Sequence, residues 1–146
     1  MLIKVQLCYH KDVGLGVKAK TKIPKGVNVL YYYGEVHSTA NAKKDDGVKH
    51  THLLTFPGTG CSVDGSYDIL FPSEPTADFT KAYTIPSPFM SLTNSSYGYK
   101  EANCKLVFED KPCCYANDLY LDKTAWLVTT INVEENEELI WNYTFR

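Results

Sequence analysis

Tyr143 is the first residue in this chain that invites a chemical reading. It ends the run Glu137-Glu138-Leu139-Ile140-Trp141-Asn142-Tyr143, entered from Ile131-Asn132-Val133-Glu134-Glu135-Asn136. That run reads as a strand leaving an acidic turn, with Leu139 and Trp141 on one face and Ile140 and Asn142 on the other. So much apolar weight implies burial in a sheet, which would hold the tyrosine rigid. On its own, Tyr143 still reads as a core aromatic with its hydroxyl near the surface. The second candidate is Gly14-Leu15-Gly16. Two glycines around one apolar residue allow a tight turn and leave backbone amides facing outward. The turn lacks the third glycine and helical continuation of a dinucleotide fingerprint, so a nicotinamide or flavin site is not expected. His37, His50 and His52 have no matching cysteine or carboxylate spacing and read as scattered surface histidines, with no metal site. The cysteines at 8, 61, 104, 113 and 114 are odd in number and show no zinc-knuckle spacing. They read as free thiols of a reducing compartment, cytoplasmic or nuclear.

These residues need elements to position them. A chain of 146 residues suits one domain spanning 1–146, long enough to bury roughly two-thirds of its unfolded surface. A hydrophobic fraction of 44% and a charged fraction of 22% are ordinary for a globular protein. The net charge of −2 argues against nucleic-acid binding through phosphate neutralisation, though it leaves room for a basic peptide. No apolar run approaches membrane-spanning length, and the first residues lack a signal-peptide core.

Along the chain, strands are predicted at Ile3 to Leu7, from the glycine turn to Thr21, over the β-branched and aromatic run Val27 to Val36, at Leu53 to Phe56 and at Cys61 to Gly65. Further strands are predicted at Cys104 to Phe108, Tyr115 to Tyr120 and Ala125 to Thr130. Residues 37 to 50 are polar and read as an exposed loop or short helix. Residues 72 to 88 hold four of the seven prolines and read as a surface excursion with at most one helical turn around Ala77 to Tyr83. Short strands with turn residues every eight to twelve positions describe a mainly β domain with little helix. Physical reading alone stops at that fold class.

The order of the motifs goes further. Gly14-Leu15-Gly16, Ala19, Ile23-Pro24-Lys25-Gly26, Tyr32-Tyr33-Gly34-Glu35, Val63-Asp64-Gly65, Asn94-Ser95-Ser96, Asn103-Cys104, Glu138-Leu139 and Trp141-Asn142-Tyr143 together resemble the SET domain of protein lysine methyltransferases. The resemblance implies a β-clip-like fold of several small sheets, with a knot-like arrangement in which the carboxy-terminal segment threads or overlies the loop 94–104. It also implies S-adenosylmethionine as cofactor. Gly14, Leu15 and Gly16 would hold the cofactor's amino-acid end, Asn94 and Ser95 would meet its adenine and amino-acid portions, and Phe145 would cover the adenine. Tyr143 becomes the catalytic tyrosine, Tyr32 a wall of the lysine channel, and Trp141 the residue that limits how many methyl groups fit.

Departures from the pattern are specific. Ser95 stands where the family has histidine, Asn142 where it has aspartate, and the interval from Asn94 to Asn103 is enlarged. The cysteine-rich zinc segments of some members have no counterpart. The resemblance therefore implies an enzyme acting on a lysine-containing protein such as a histone tail, with a SET-like interaction module without turnover as the alternative. A β-rich structural protein that only imitates the motifs would have no pocket joining Gly14, Asn94 and Tyr143.

Overall fold

The computed structural model describes residues 2–40, 52–73 and 78–143. His50, Ala77 and Phe145 lie outside the described residues. Five small sheets make up the described fold. The first has the order β2-β1-β7, from β1 (Lys4–His10), β2 (Gly14–Ala19) and β7 (Ala82–Thr84). Its Gly14 adopts φ +82°, the left-handed conformation that a tight β1–β2 turn requires. The second joins β4 (Glu35–Ser38), β6 (Cys61–Asp64) and β5 (Leu53–Phe56) in that order. The third places β12 (Thr124–Thr129) between β3 (Asn28–Tyr31) and β9 (Cys104–Glu109). The remaining two are pairs: β10 (Cys113–Cys114) with β11 (Tyr120–Leu121), and β8 (Asn94–Ser95) with β13 (Ile140–Trp141).

Alternation along the strands supplies the core. In β9, buried or half-buried Cys104, Leu106 and Phe108 alternate with Lys105, Val107 and Glu109, as a one-sided strand demands. Val5, Val17, Ala19, Leu30, Leu54, Val63, Leu127 and Leu139 are fully shielded from solvent and belong to one cluster. Helix is scarce: a four-residue turn at Tyr67–Leu70 and a 3-10 turn at Met90–Leu92 interrupt the strands.

Several sequence expectations change. The run from Val27 to Val36 is not one strand: it breaks between β3 and β4, where Gly34 passes against the Asp64 backbone so closely that a Cβ would overlap it. Of the strand expected from Tyr115 to Tyr120, only Tyr120 is in a strand, and residues 115–119 are the turn between β10 and β11. There Asp118 sits at φ 61°, and its amide closes on the Tyr115 carbonyl at 3.0 Å, a use of Asn117-Asp118 that turn chemistry favours over β propensity. His37 lies in β4 and not in a loop. The described part of the 77–83 stretch holds no helical turn and ends in β7. The terminal strand shrinks to Ile140–Trp141, and Leu139, Ile140 and Trp141 are all buried, so both of its faces are covered.

That double burial reflects how the carboxy-terminal segment is held. Residues 136–139 run against β2, with Asn136 N donating to the Ala19 carbonyl at 2.7 Å and Leu139 N to the Val17 carbonyl at 2.8 Å. One step later β13 pairs in parallel with β8, Ile140 beside Asn94 and Trp141 beside Ser95. On its other side Asn103 N reaches the Ile140 carbonyl at 3.1 Å, while the Asn103 side chain donates to the Glu138 carbonyl at 2.8 Å and accepts from Ile140 N at 2.9 Å. The segment is thus gripped by both ends of the 94–103 loop, the arrangement that brings Tyr143 to Asn94.

Candidate active site

Thr93 fixes the two aromatics that end the chain's described part. Its hydroxyl accepts the Trp141 indole N–H at 2.6 Å and donates to the Met90 carbonyl at 2.5 Å. Its carbonyl accepts the Tyr143 hydroxyl. The rings of Trp141 and Tyr143 lie 4.8 Å apart at 53°. Trp141 is 2% exposed, so the larger ring backs the smaller one, and the phenol is held at both its edge and its oxygen.

The Gly14-Leu15-Gly16 turn is tied to this centre through Asn94. The Asn94 amide nitrogen donates to the Leu15 carbonyl at 3.0 Å and to Glu138 Oε2 at 2.7 Å. With both donor hydrogens committed, the side-chain oxygen has a defined direction. The other carboxylate oxygen, Glu138 Oε1, accepts the Tyr99 hydroxyl at 2.6 Å and lies 3.5 Å from the half-exposed Lys100 ammonium. Glu138 itself is 8% exposed. A Cβ on Gly16 would come within 2.6 Å of Glu138 Oε2 and 2.9 Å of Asn94 Nδ2, so this glycine makes room for the carboxylate–amide contact. Gly14 meets nothing within 4 Å and serves the turn alone. Ser95, in the histidine's place, uses its hydroxyl locally, accepting Tyr97 N at 3.3 Å and Tyr143 N at 3.4 Å.

A cavity of about 280 Å³ opens where these groups meet. Leu15, Asn94 and Tyr143 line it, together with Tyr67, Thr93 and His52. Gly14, Gly16, Ser95 and Trp141 stand behind the lining and act on it through backbone or through a neighbour. Tyr32 is buried, and its hydroxyl donates to the carbonyl of His52 at 2.6 Å; it touches the cavity through that residue. The sequence pointed to Asn94 and Tyr143 but missed Thr93, whose only signal is its place before Asn94, and the buried role of Glu138 beneath a turn that reads as a solvated acidic edge. Tyr67 and His52 carry no signal at all.

Burial governs the nearby titrations. It pushes the Cys8 thiol up to about 11, with Glu138's negative charge adding to the effect, and the Cys104 thiol up to about 12. Neither is a nucleophile near neutral pH. Burial, then the bond to Glu138, raises the Tyr99 phenol. Among the described residues no three His, Cys, Asp or Glu side chains are grouped to hold a metal ion, and no helix is long and apolar enough to cross a membrane.

Comparison with known proteins decides the fold. No protein-family model and no curated protein matches the sequence. Solved structures do. ATXR5 in complex with histone H3.1 superposes with a TM-score of 0.63 over 97% of this chain at 14% identity. CpSET8 from Cryptosporidium gives 0.61 over 96% at 17% identity. The chain has a SET-domain fold. A humanized Polycomb Repressive Complex 2 of Chaetomium thermophilum, bound to an inhibitor, matches at 0.57 over 96% of the chain at 18% identity. The chain spans 57% of the length of the ATXR5 and Cryptosporidium chains and 15% of the Polycomb one. Within this SET domain, the grip of residues 94–103 on the carboxy terminus is the feature that brings Tyr143 to the cavity beside Leu15 and Asn94.

Proposed function

We propose that this SET domain is a protein lysine N-methyltransferase that transfers a methyl group from S-adenosylmethionine to a lysine side chain on a histone or histone-like tail. The observation that carries the reading is the single cavity shared by Leu15, Asn94 and Tyr143. A β-rich structural protein with imitative motifs predicts no pocket joining Gly14, Asn94 and Tyr143; Gly14 itself is not on this lining, and its turn reaches the cavity through the neighbours Val13 and Leu15. The histone H3.1 held by ATXR5 supports a histone-like substrate.

The lining suits the cofactor in character. Apolar walls from Val13, Leu15, Leu92 and Tyr67 surround a few polar groups, Asn94, Ser91 and Thr93, the mix found in small-molecule sites, and about 280 Å³ falls just below their roughly 300–1,000 Å³ range. Asn94 and the Leu15 backbone would hold the amino-acid end, with Ser95 acting through its main chain. When bound, S-adenosylmethionine supplies an electrophilic methyl on a sulfonium sulfur. The chain's own residues then handle the amine. A free lysine has a pKa near ~10.4 and is mostly protonated at neutral pH; apolar walls disfavour the ammonium and release the nucleophilic lone pair. The Tyr143 phenol, donating to the Thr93 carbonyl, acts toward an amine as a hydrogen-bond acceptor, which orients the N–H and leaves the lone pair pointing along the line of displacement. Such alignment is worth up to about 7–11 kcal/mol at best.

One observation favours a second reading, a SET-like interaction module without turnover. Ser95 replaces the family histidine, and the enlarged 94–103 loop sends Tyr99 onto Glu138, beside the cofactor side of the site. Calorimetric titration with S-adenosylmethionine separates the two: binding is expected, and its absence would leave the enzyme without a methyl donor. Incubation with labelled cofactor and a histone panel should label a histone. Tyr143→Phe should cut the rate by at least about 100-fold with cofactor affinity retained; equal labelling by this variant would remove Tyr143 from the chemistry.

A further inference from the structure

A second cavity, of about 210 Å³, shares no lining residue with the first. Its walls are Tyr31, Tyr33 and Trp126, with Cys113, Cys114 and Thr124 around them. Alternation along the extended chain explains the separation: Tyr32 turns toward His52, while Tyr31 and Tyr33 turn the other way. Trp126 stands directly across from Tyr31 in the β3–β12 register. The rings meet at steep angles, Tyr31 to Trp126 at 5.7 Å and 65°, Tyr31 to Tyr33 at 6.2 Å and 78°. Tyr33 is backed by the buried Tyr115, stacked at 6.2 Å and 20°. The walls are therefore set by sheet register and by a core ring, before any ligand arrives.

We propose that this aromatic cavity binds a quaternary ammonium group, as carried by a trimethylated lysine side chain or a choline headgroup. Ring faces bear the negative end of the aromatic quadrupole and attract a cation that has little hydration to lose. Among the described residues no carboxylate lines the cavity. An ammonium with N–H bonds to satisfy would find no charged acceptor, whereas a permethylated one needs none. Burial raises the Tyr31 and Tyr33 phenols above their ordinary value, so neither ring carries a phenolate near neutral pH. Lys111, exposed on the same lining, is the one cationic side chain there among the described residues and opposes a cationic guest.

The inference is independent of methyl transfer at Tyr143. The test is an aromatic-ring NMR titration of the full chain with tetramethylammonium chloride, a trimethyl-lysine peptide, the same peptide bearing a neutral tert-butyl isostere, and phosphocholine. Shifts centred on Tyr31, Tyr33 and the Trp126 indole are expected, with the neutral isostere about tenfold weaker. The trimethyl-lysine and phosphocholine arms identify the natural source, and binding of either supports the site. Tyr33→Leu should weaken binding about tenfold. Lys111→Glu, at an exposed position that leaves the fold intact, should tighten it about two- to threefold at low salt. Equal binding of the neutral isostere, a weaker Lys111→Glu variant, or shifts confined to the Tyr143 cavity would overturn it.

Discussion

Removal of the Glu138 carboxylate tests whether the centre is built as described. Its two oxygens accept from two different parts of the chain, Asn94 Nδ2 at 2.7 Å and the Tyr99 hydroxyl at 2.6 Å. Hydrogen bonds to a charged group contribute about 1.5–3 kcal/mol each. The Lys100 contact adds little, because that side chain is 54% exposed and screened. In Glu138→Ala, Asn94 keeps the Leu15 carbonyl but loses the acceptor that fixes its rotation, and a small void opens beside Gly16. The expected loss is about 2–4 kcal/mol in urea unfolding, with the m-value unchanged. Glu138→Gln should behave differently. Its amide oxygen can still accept from Asn94, and its NH2 can donate to Tyr99, whose hydroxyl turns to accept. That variant should lie within about 1 kcal/mol of the parent. Cofactor affinity should follow the same order, nearly retained in Glu138→Gln and at least about tenfold weaker in Glu138→Ala, because only the alanine frees the Asn94 amide. A double-mutant cycle with Tyr99→Phe should give a coupling near 1 kcal/mol. Equal stability of the alanine and glutamine variants, or zero coupling to Tyr99, would show that the carboxylate is a passive surface charge and refute the reasoning.

Gly16→Ala should disturb the same contact by pushing Glu138 and Asn94 apart, costing cofactor affinity, whereas Gly14→Ala should cost only about 1–2 kcal/mol of folding stability for its left-handed backbone; parallel calorimetry and denaturation on the two variants distinguish the roles. The Cys104 thiol, with a folded-state value of about 12 against 9.0 for the unfolded group, favours the fold fully below pH 9, and that contribution is lost as pH rises toward 12. Unfolding free energy should thus fall through this window and fall less in Cys104→Ala; identical pH slopes would assign the alkaline loss to other groups. Mass spectrometry of reacted peptide should find one or two methyl groups, since the indole of Trp141 crowds the position behind Tyr143, and a clean trimethylated product would refute that limit.

The fold was legible where a residue's neighbours in sequence are also its determinants. β5 was read to the residue because Leu53 to Phe56 is bounded by its own turn, and β9 to within one residue, its end at Glu109 and not Phe108, because Cys104, Leu106 and Phe108 alternate within a single strand. The misreadings share one cause. Val27 to Val36 has strand propensity throughout, but Gly34 must cross the Asp64 backbone, a constraint written thirty residues away. Tyr115 to Tyr120 is aromatic at both ends, yet Asn117 gives its side chain to the Val36 amide and carbonyl at 3.0 and 2.9 Å, which holds the segment as a turn. The site follows the same logic more strictly. Asn94 and Tyr143 could be named from short motifs, but their meeting depends on residues 136–141 being gripped first by β2 and then by both ends of the 94–103 loop. Glu138 shows what that costs a sequence reading: among four glutamates in five positions, the local signal is a solvated acidic turn, and burial singles out 138 only because the chain there has already passed beneath Tyr99 and against Gly16. A motif can therefore name the groups that touch the cavity, while those that orient them are fixed by how the carboxy terminus is threaded.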